Sequence, residues 1–182
     1  IYEQDGRKIM QFLGLMAGLF GLDILLKGKI EAGDKEDFPR DMEGTSGKIR
    51  LYRNHNDGFC FGLLKNNQEL VKTVPLVFTS AVTGVFFWLL TRKSRLIDKL
   101  GFSLVTAGAL SNLFDRVKRG YVVDYFSFQF GWLKKVVFNI GDICIFLGTF
   151  LLAVSELFSG PESRPGRKSE HRADKADGAV EQ

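Results

Sequence analysis

Three short segments organise this chain: residues 112–116 read NLFDR, residues 122–125 read VVDY and residues 138–142 read FNIGD. Together they place three carboxylates, two amides and one guanidinium at the ends of two strongly apolar stretches. Carboxylates at a membrane boundary are costly to bury, so they are rarely kept there for packing alone. The segments therefore mark a candidate site, and the apolar stretches around them decide the fold.

Four apolar stretches predict a membrane all-α fold, with four transmembrane helices in one domain at residues 1–158. A helix needs about 20 apolar residues to cross the hydrocarbon core of a bilayer. Seventeen phenylalanines among 182 residues also favour a lipid-facing surface over a soluble core. The charged tail at 159–182 has no apolar period and is predicted to be disordered. The predicted spans lie at about 9–27, 71–90, 97–114 and 138–158.

The distribution of basic residues predicts the orientation of these spans. The short link between the second and third spans carries Arg92, Lys93, Arg95 and Lys99. Short basic links stay in the cytoplasm, so we expect both termini and the tail to be cytoplasmic and residues 28–70 and 115–137 to lie outside. A secretory signal peptide is the competing interpretation of the first stretch, but no small-residue cleavage site follows it.

Charge and cysteine content argue against several other classes of protein. The net charge is +4, but the basic residues cluster beside the apolar stretches and form no single stripe that would bind nucleic acid. Cys60 and Cys144 are too few for a disulfide framework, and neither has a Cys or His neighbour at metal-ligand spacing. We therefore expect no nucleic-acid partner, no metal and no cofactor.

Outside the predicted helices, the pattern of residues predicts a few short strands. Residues 48–53 alternate between polar and apolar, and residues 54–58 read NHNDG, which indicates a turn. Residues 122–130 and 134–137 also look extended, with a turn between them. We expect these strands to form a small extracytoplasmic β-sheet, a cradle on the membrane surface.

Asp124 and Asp142 are the candidate catalytic residues, because each lies in an apolar setting without a neighbouring cation in the sequence. Asn139 shares a helix face with Asp142 at a spacing of three. Two carboxylates that lie close together in a low-dielectric site cannot both ionise comfortably, so one pKa rises and the pair shares a proton. Such a pair can activate water against a peptide carbonyl without a metal or a nucleophilic side chain.

Two further groups of polar residues have helical spacing. Asn112, Asp115 and Arg116 share one face, and Asp23 and Lys27 have the i,i+4 spacing of a helical ion pair. A structural role is an equal alternative for the first group. In that case Asp115 and Arg116 would neutralise each other, and the asparagine would cap or join helices.

Five segments follow one another in a specific order: Asp23-x-x-x-Lys27, Asn56-x-Gly58-x-x-Phe61-Gly62, Asn112-x-x-Asp115-Arg116, Val122-Val123-Asp124-Tyr125 and Phe138-Asn139-x-Gly141-Asp142. In order and spacing they resemble the successive motifs of lipoprotein signal peptidase (signal peptidase II), over about residues 9–158. One such motif is weak, but five in order are highly specific.

The resemblance implies a bacterial inner-membrane aspartic endopeptidase with its active site at the extracytoplasmic face. Members of that family remove signal peptides from prolipoproteins just before a diacylglyceryl-modified cysteine, so that substrate and membrane lipid are the implied partners. The cyclic peptide globomycin is the implied inhibitor. By resemblance the catalytic residues are Asp124 and Asp142, the substrate-binding residues Asn56, Asn112, Arg116 and Asn139, and the supporting residues Asp23, Asp115 and Gly58.

The chain departs from the family pattern at a few positions. Gly141 stands where Ala is usual, Ser111 where Gly is usual and Tyr125 where Phe is usual. These changes are small. Phe59 and Cys60 replace a usual pair of small residues, and we expect them to alter the shape of the substrate pocket.

Two functions from other classes compete with the peptidase. A small proton or solute carrier would use the same acids as a relay, but it needs polar residues across the bilayer, and the acids collect at one end. A catalytically inactive membrane scaffold is the other alternative, and the presence of both Asp124 and Asp142 argues against it.

Overall fold

All four apolar stretches form helices in a computed structural model that describes residues 2–58 and 67–158. A small antiparallel sheet of three strands accompanies them, and short 3₁₀ turns lie at Lys35–Asp37 and Gly131–Lys135. The helices are α1 (Tyr2–Ala32), α2 (Gln68–Leu90), α3 (Leu96–Arg119) and α4 (Ile140–Leu157), and the strands are β1 (Arg40–Asp41), β2 (Ile49–Asn56) and β3 (Val122–Phe128).

Within the described residues, three helices are long and apolar enough to cross a membrane: Gly6–Ala32 of α1, Glu69–Leu90 of α2 and Ile140–Leu157 of α4. The remaining helix, α3, packs against the other three, and its buried surface includes polar Ser103 and Thr106. A helix that faces protein on several sides needs less apolar surface than one that faces lipid. The predicted spans at 9–27, 71–90 and 138–158 are thus confirmed as candidates. The predicted span at 97–114, which corresponds to α3, stays a prediction.

Large apolar side chains cover the outer surfaces of α2 and α4. On α2 Phe78 and Trp88 are exposed, and on α4 Phe146 and Phe150 are exposed. Soluble monomers rarely expose apolar patches of this kind, whereas membrane proteins turn them toward lipid. Four of the seventeen phenylalanines lie on these two surfaces.

Glycines allow α3 and α4 to approach each other very closely. A Cβ on Gly108 of α3 would overlap the carbonyl oxygen of Gly141 on α4, and a Cβ on Gly148 would lie 2.6 Å from the carbonyl oxygen of Gly101. Small residues permit such backbone contact between membrane helices. Gly141 directly precedes Asp142, so the contact with Gly108 fixes where that carboxylate lies relative to α3.

The sheet has the order β1-β2-β3, and the expected pairing of the segment at 48–53 with the segment after α3 is confirmed. The predicted turn at 54–58 is wrong in its first half, because Asn54, His55 and Asn56 continue β2 and pair with β3. Residues 134–137 do not form a paired strand. The Ser127 hydroxyl donates to the carbonyl oxygens of Leu133 and Lys134, so this segment folds as a turn against the end of β3.

The helix ends differ from the prediction in a way that matters for the site. α3 continues beyond 114 to Arg119, because the chain leaves the helix only at Gly120, which has a left-handed φ of 85°. Asp115 and Arg116 therefore lie within the helix and not in a loop. Phe59, Cys60 and the tail at 159–182 lie outside the described residues.

Candidate active site

A cavity of about 790 Å³ lies between α2 and α4, with α3 at its base and the ends of β2 and β3 at its rim. α2 and α4 both pack on α3, and side chains from all three helices line the space between them. Five of the predicted polar site residues line this one cavity: Asn56, Asn112, Arg116, Asp124 and Asp142.

The two predicted catalytic carboxylates are held by three asparagines. Asp124 accepts hydrogen bonds from the amide nitrogens of Asn139 (2.9 Å) and Asn56 (3.2 Å), one on each oxygen. Asp142 accepts one from the Asn112 amide (2.9 Å) and one from the Asn139 backbone N–H (3.2 Å). Every oxygen of the pair thus has a donor, which fixes both side chains in the cavity.

Asn139 joins the two aspartates because it occupies the N-cap position of α4. Its side-chain oxygen accepts the backbone N–H of Asp142 at 2.8 Å, while the Asp142 carboxylate accepts the backbone N–H of Asn139, which is a reciprocal capping box. The remaining amide N–H₂ of Asn139 donates to Asp124. One side chain therefore both caps α4 and binds the Asp124 carboxylate, and the predicted contact of Asn139 with substrate stays a prediction.

The register of β2 and β3 places Asn56 beside Asp124. Asn56 pairs with Val122, and residues two apart on a strand share a face, so the Asn56 amide reaches the Asp124 carboxylate. Its side-chain oxygen accepts the backbone N–H of Gly58 at 3.1 Å, and Arg116 donates to the Gly58 carbonyl at 3.1 Å. Gly58 is thus tied to the rim of the cavity from two sides.

Burial and charge shift the acidity of Asp124. Its side chain is 4% exposed. Burial, followed by the negative charge of Asp142, raises the pKa of Asp124 to about 7, although the hydrogen bonds from Asn139 and Asn56 act in the opposite direction. A carboxyl group with this pKa can hold a proton at neutral pH and release it during a reaction.

A buried ion pair lies behind the cavity. Lys27 and Asp23, which are 0% and 1% exposed, form the expected i,i+4 pair with a distance of 2.8 Å between Nζ and Oδ2. The Lys27 Nζ also donates to the side-chain oxygens of Asn112 (2.8 Å) and Ser111 (3.1 Å). Because Lys27 binds the oxygen of the Asn112 amide, the N–H₂ of that amide is turned toward Asp142.

The alternative in which Asp115 and Arg116 neutralise each other is wrong. The Asp115 carboxylate instead pairs with Arg119 one turn later, lies 3.5 Å from the Lys27 Nζ and accepts the backbone N–H of Val123 at 3.0 Å. Residues 115 and 119 are four apart and lie one above the other on the helix. Residues 115 and 116 each neighbour residue 112, but successive residues of a helix point about 100° apart, so the two side chains diverge. Arg116 donates to the carbonyl oxygens of Asn112 and Gly58, so it faces the cavity.

Sequence reasoning missed three side chains that support the site. These are Arg119 as the partner of Asp115, and the hydroxyls of Ser111 and Tyr125, which donate to the two oxygens of Asp23 at 2.6 and 2.9 Å. The i,i+4 spacing could have identified Arg119. In the sequence the two hydroxyls stand out only as departures from the family pattern, and their position beside Asp23 carries no local signal.

A sequence profile of the family described as Signal peptidase (SPase) II matches residues 15–158. The chain belongs to the signal peptidase II family. Every predicted site residue, from Asp23 to Asp142, lies within the part of the chain that matches this signal peptidase II profile.

Relatives named lipoprotein signal peptidase agree with this membership in the signal peptidase II family. The protein from Clostridioides difficile (strain 630) is 45% identical over 109 residues, which are 60% of this chain and 70% of the relative. The protein from Brucella ovis is 34% identical over 118 residues, which are 64% of this chain and 72% of the relative.

Two solved structures, both described as bacterial membrane enzymes studied by the in meso method, share the fold. One has a TM-score of 0.70 at 22% identity and covers 85% of this chain and 92% of its own. The other has a TM-score of 0.67 at 23% identity and covers 82% of this chain and 94% of its own. The arrangement of helices and sheet in this signal peptidase II family member therefore recurs in solved membrane enzymes.

Proposed function

We propose that Asp124 and Asp142 form the catalytic pair of this signal peptidase II family member and activate water against a peptide carbonyl. The observation that carries the proposal is that both carboxylates line one cavity, with each of their four oxygens held by a hydrogen bond from an asparagine. Fixed donors of this kind hold reacting groups in place before the substrate arrives.

In the proposed reaction the pair carries one proton. Asp142 lies in the first turn of α4, where the helix dipole favours a negative charge, and it takes a proton from water. The resulting hydroxide equivalent forms a bond to the carbonyl carbon while Asp124 gives its proton to the carbonyl oxygen. Breakdown of the tetrahedral intermediate breaks the C–N bond while the proton now on Asp142 goes to the leaving nitrogen. Asp124 takes a proton back from one of the two hydroxyls as the carboxylic acid product forms, which restores the starting state of the pair.

Family membership and the named relatives make this chain an aspartic protease that removes signal peptides from lipoproteins. The carrier and the inactive scaffold are not favoured, because the family and its relatives are peptidases. For the substrate in detail, we propose a prolipoprotein that carries a diacylglyceryl-modified cysteine.

The cavity supports this choice of substrate. It is flanked by Phe78 on α2 and Phe146 on α4, which are 52% and 69% exposed, so its wall is continuous with the apolar outer surface. A peptide with attached acyl chains could enter from the lipid along this wall and meet Asn56 and Arg116 at the rim. We propose that membrane lipid borders the same opening and that globomycin binds in the cavity as an inhibitor.

Cleavage of matched substrates would test the proposed specificity. The purified protein in detergent is incubated with one prolipoprotein in two forms, with and without the diacylglyceryl group, and the products are analysed by mass spectrometry. We expect cleavage directly before the modified cysteine and at least about 100-fold slower cleavage of the unmodified form, because remote binding energy drives the chemical step. Equal rates for the two forms would contradict the role of the lipid group.

We further propose that the protein spans a bacterial inner membrane four times, with α3 as the fourth span. Both termini and the link between α2 and α3 are then cytoplasmic, and the sheet and the catalytic pair lie at the outer face. The support is the run of basic residues at 92–99 and the position of α3 among three helices that are apolar enough to cross a membrane.

Cysteine labelling would test this topology. In a background with Cys60 and Cys144 replaced by serine, Asp34→Cys and Lys93→Cys place single thiols at exposed positions on the two proposed sides. In intact spheroplasts we expect a membrane-impermeant maleimide to label Asp34→Cys only, and to label both after lysis. Labelling of both variants before lysis would contradict the proposal that one span, α2, separates the two positions.

A further inference from the structure

We infer that the Tyr125 hydroxyl is a positioning group that fixes the amino end of α4 and, through it, the direction of Asp142. The inference rests on the proposed catalytic role of Asp142. Tyr125 itself does not touch the cavity: among the described residues, its ring lines a separate space of about 420 Å³ between α1 and the sheet. Neighbouring residues on a strand point to opposite faces, so Asp124 faces the site while Tyr125 faces α1.

The contacts of the hydroxyl lead directly to the first residue of α4. Tyr125 donates to the Asp23 carboxylate at 2.9 Å. The backbone N–H of Ile140 donates to both of these groups, with distances of 3.1 Å to the Tyr125 hydroxyl oxygen and 3.1 Å to Asp23 Oδ1. The first N–H groups of a helix have no partner within the helix, so this pair of acceptors satisfies one of them.

The position of Ile140 makes this contact important for the catalytic pair. Ile140 lies between Asn139, which bonds both aspartates, and Gly141, which directly precedes Asp142. Glycine gives the backbone more freedom than any other residue, so the first turn of α4 needs an external restraint. A shift of about 1 Å in a reacting group can lower a rate by about 100-fold.

The hydroxyl keeps its proton in this setting, so it remains a donor to Asp23. Burial and the negative charge of Asp23 raise the pKa of Tyr125 well above its ordinary value. The Asp23 carboxylate is in turn held by Lys27 and Ser111 on its other oxygen. The Ile140 N–H therefore meets two acceptors whose positions are set by α1, α3 and β3 together.

The chain offers a matched control for removal of this hydroxyl. Tyr121 also donates from its hydroxyl to a carboxylate on α1, Glu31, at 3.1 Å, but among the described residues it makes no hydrogen bond to α4. Tyr125→Phe and Tyr121→Phe therefore remove the same kind of hydrogen bond. Only the first of them removes an acceptor from Ile140.

We expect Tyr125→Phe to lower kcat by about 10-fold with KM within about twofold of wild type, because the lost contact orients a reacting group and does not bind substrate. Tyr121→Phe should leave both constants unchanged. The alkaline limb of the pH profile should move to lower pH in Tyr125→Phe only. The negative charge of Asp142 helps to raise the pKa of Asp124. If the Asp142 carboxylate becomes more mobile, its charge raises the pKa of Asp124 less, and the alkaline limb moves to lower pH.

Three outcomes separate this inference from the proposed function. If Asp142→Asn cleaves substrate, the proposed function fails, whatever the tyrosine variants do. If Asp142→Asn is inactive but Tyr125→Phe matches Tyr121→Phe in kcat and pH profile, the positioning role is overturned and the proposed function stands. If Tyr125→Phe loses kcat and thermal stability but keeps the wild-type pH profile, the hydroxyl is only structural and the inference is also overturned.

Discussion

Replacement of Asp124 or Asp142 by asparagine is expected to abolish cleavage, with kcat lowered by at least about 10³-fold, while the protein still folds. Asparagine keeps the shape of the side chain and can still accept one of the hydrogen bonds seen in the cavity. It cannot take up or release a proton, however, so the water is no longer activated. Cleavage would be measured on a diacylglyceryl-modified prolipoprotein with protein whose thermal unfolding is cooperative.

The two replacements should be strongly non-additive. Two groups that act as one unit are lost together once either is removed, so the double variant should be about as inactive as each single variant. Asp34→Asn is the matched control, since Asp34 is an exposed aspartate far along the chain from the pair, and it should retain wild-type activity. Substantial cleavage by a folded Asp124→Asn or Asp142→Asn protein would refute the mechanism.

The pH dependence gives a second readout of the same pair. The wild-type profile should be bell-shaped, with an alkaline limb near pH 7 where Asp124 loses its proton. Stability should follow the same group: its folded pKa of about 7 lies above the unfolded value near 3.9, so the folded state binds more protons between these values. The contribution of Asp124 to the free energy of unfolding is therefore fully present below pH 4 and is lost as the pH rises to about 7. In Asp124→Asn the free energy of unfolding should depend less on pH over this range.

Lys27→Met is expected to have the largest effect on stability, with a loss of about 3–5 kcal/mol in the free energy of unfolding. Methionine matches the length of lysine but leaves two buried carboxylates, Asp23 and Asp115, without this cation. Breaking a buried ion pair from one side is costly because an uncompensated charge remains. The Asn112 amide would also lose the donor that orients it, so activity should fall as well.

Lys29→Met is the matched control for this experiment, because Lys29 lies on the same helix two residues further on and is exposed. Thermal unfolding of both variants in the same detergent would measure the difference. If Lys27→Met does not fold, Lys27→Met with Asp23→Asn should recover folded protein, since Asp115 keeps its pair with Arg119 and the carboxylate that loses its cation is removed. Equal midpoints for Lys27→Met and Lys29→Met would show that the buried pair contributes little.

The sequence alone predicted the features whose signal is strong among neighbours along the chain. Long apolar stretches predicted the four helices, because the signal for a buried or lipid-facing helix is local in composition and length. The Asp23–Lys27 pair followed from helical spacing. The candidate site residues came from acids in apolar surroundings and from the order of five motifs, and six of the nine line one cavity.

Only the tertiary structure decided how these residues are connected. Lys27 meets Asn112 across 85 residues and Tyr125 meets Asp23 across 102, and no periodicity within one element can predict such contacts. The extension of β2 through Asn56 depended on how β2 pairs with β3. The physical reason is that a polar group that leaves water must find a partner, and the packing of distant elements decides which partner is within reach.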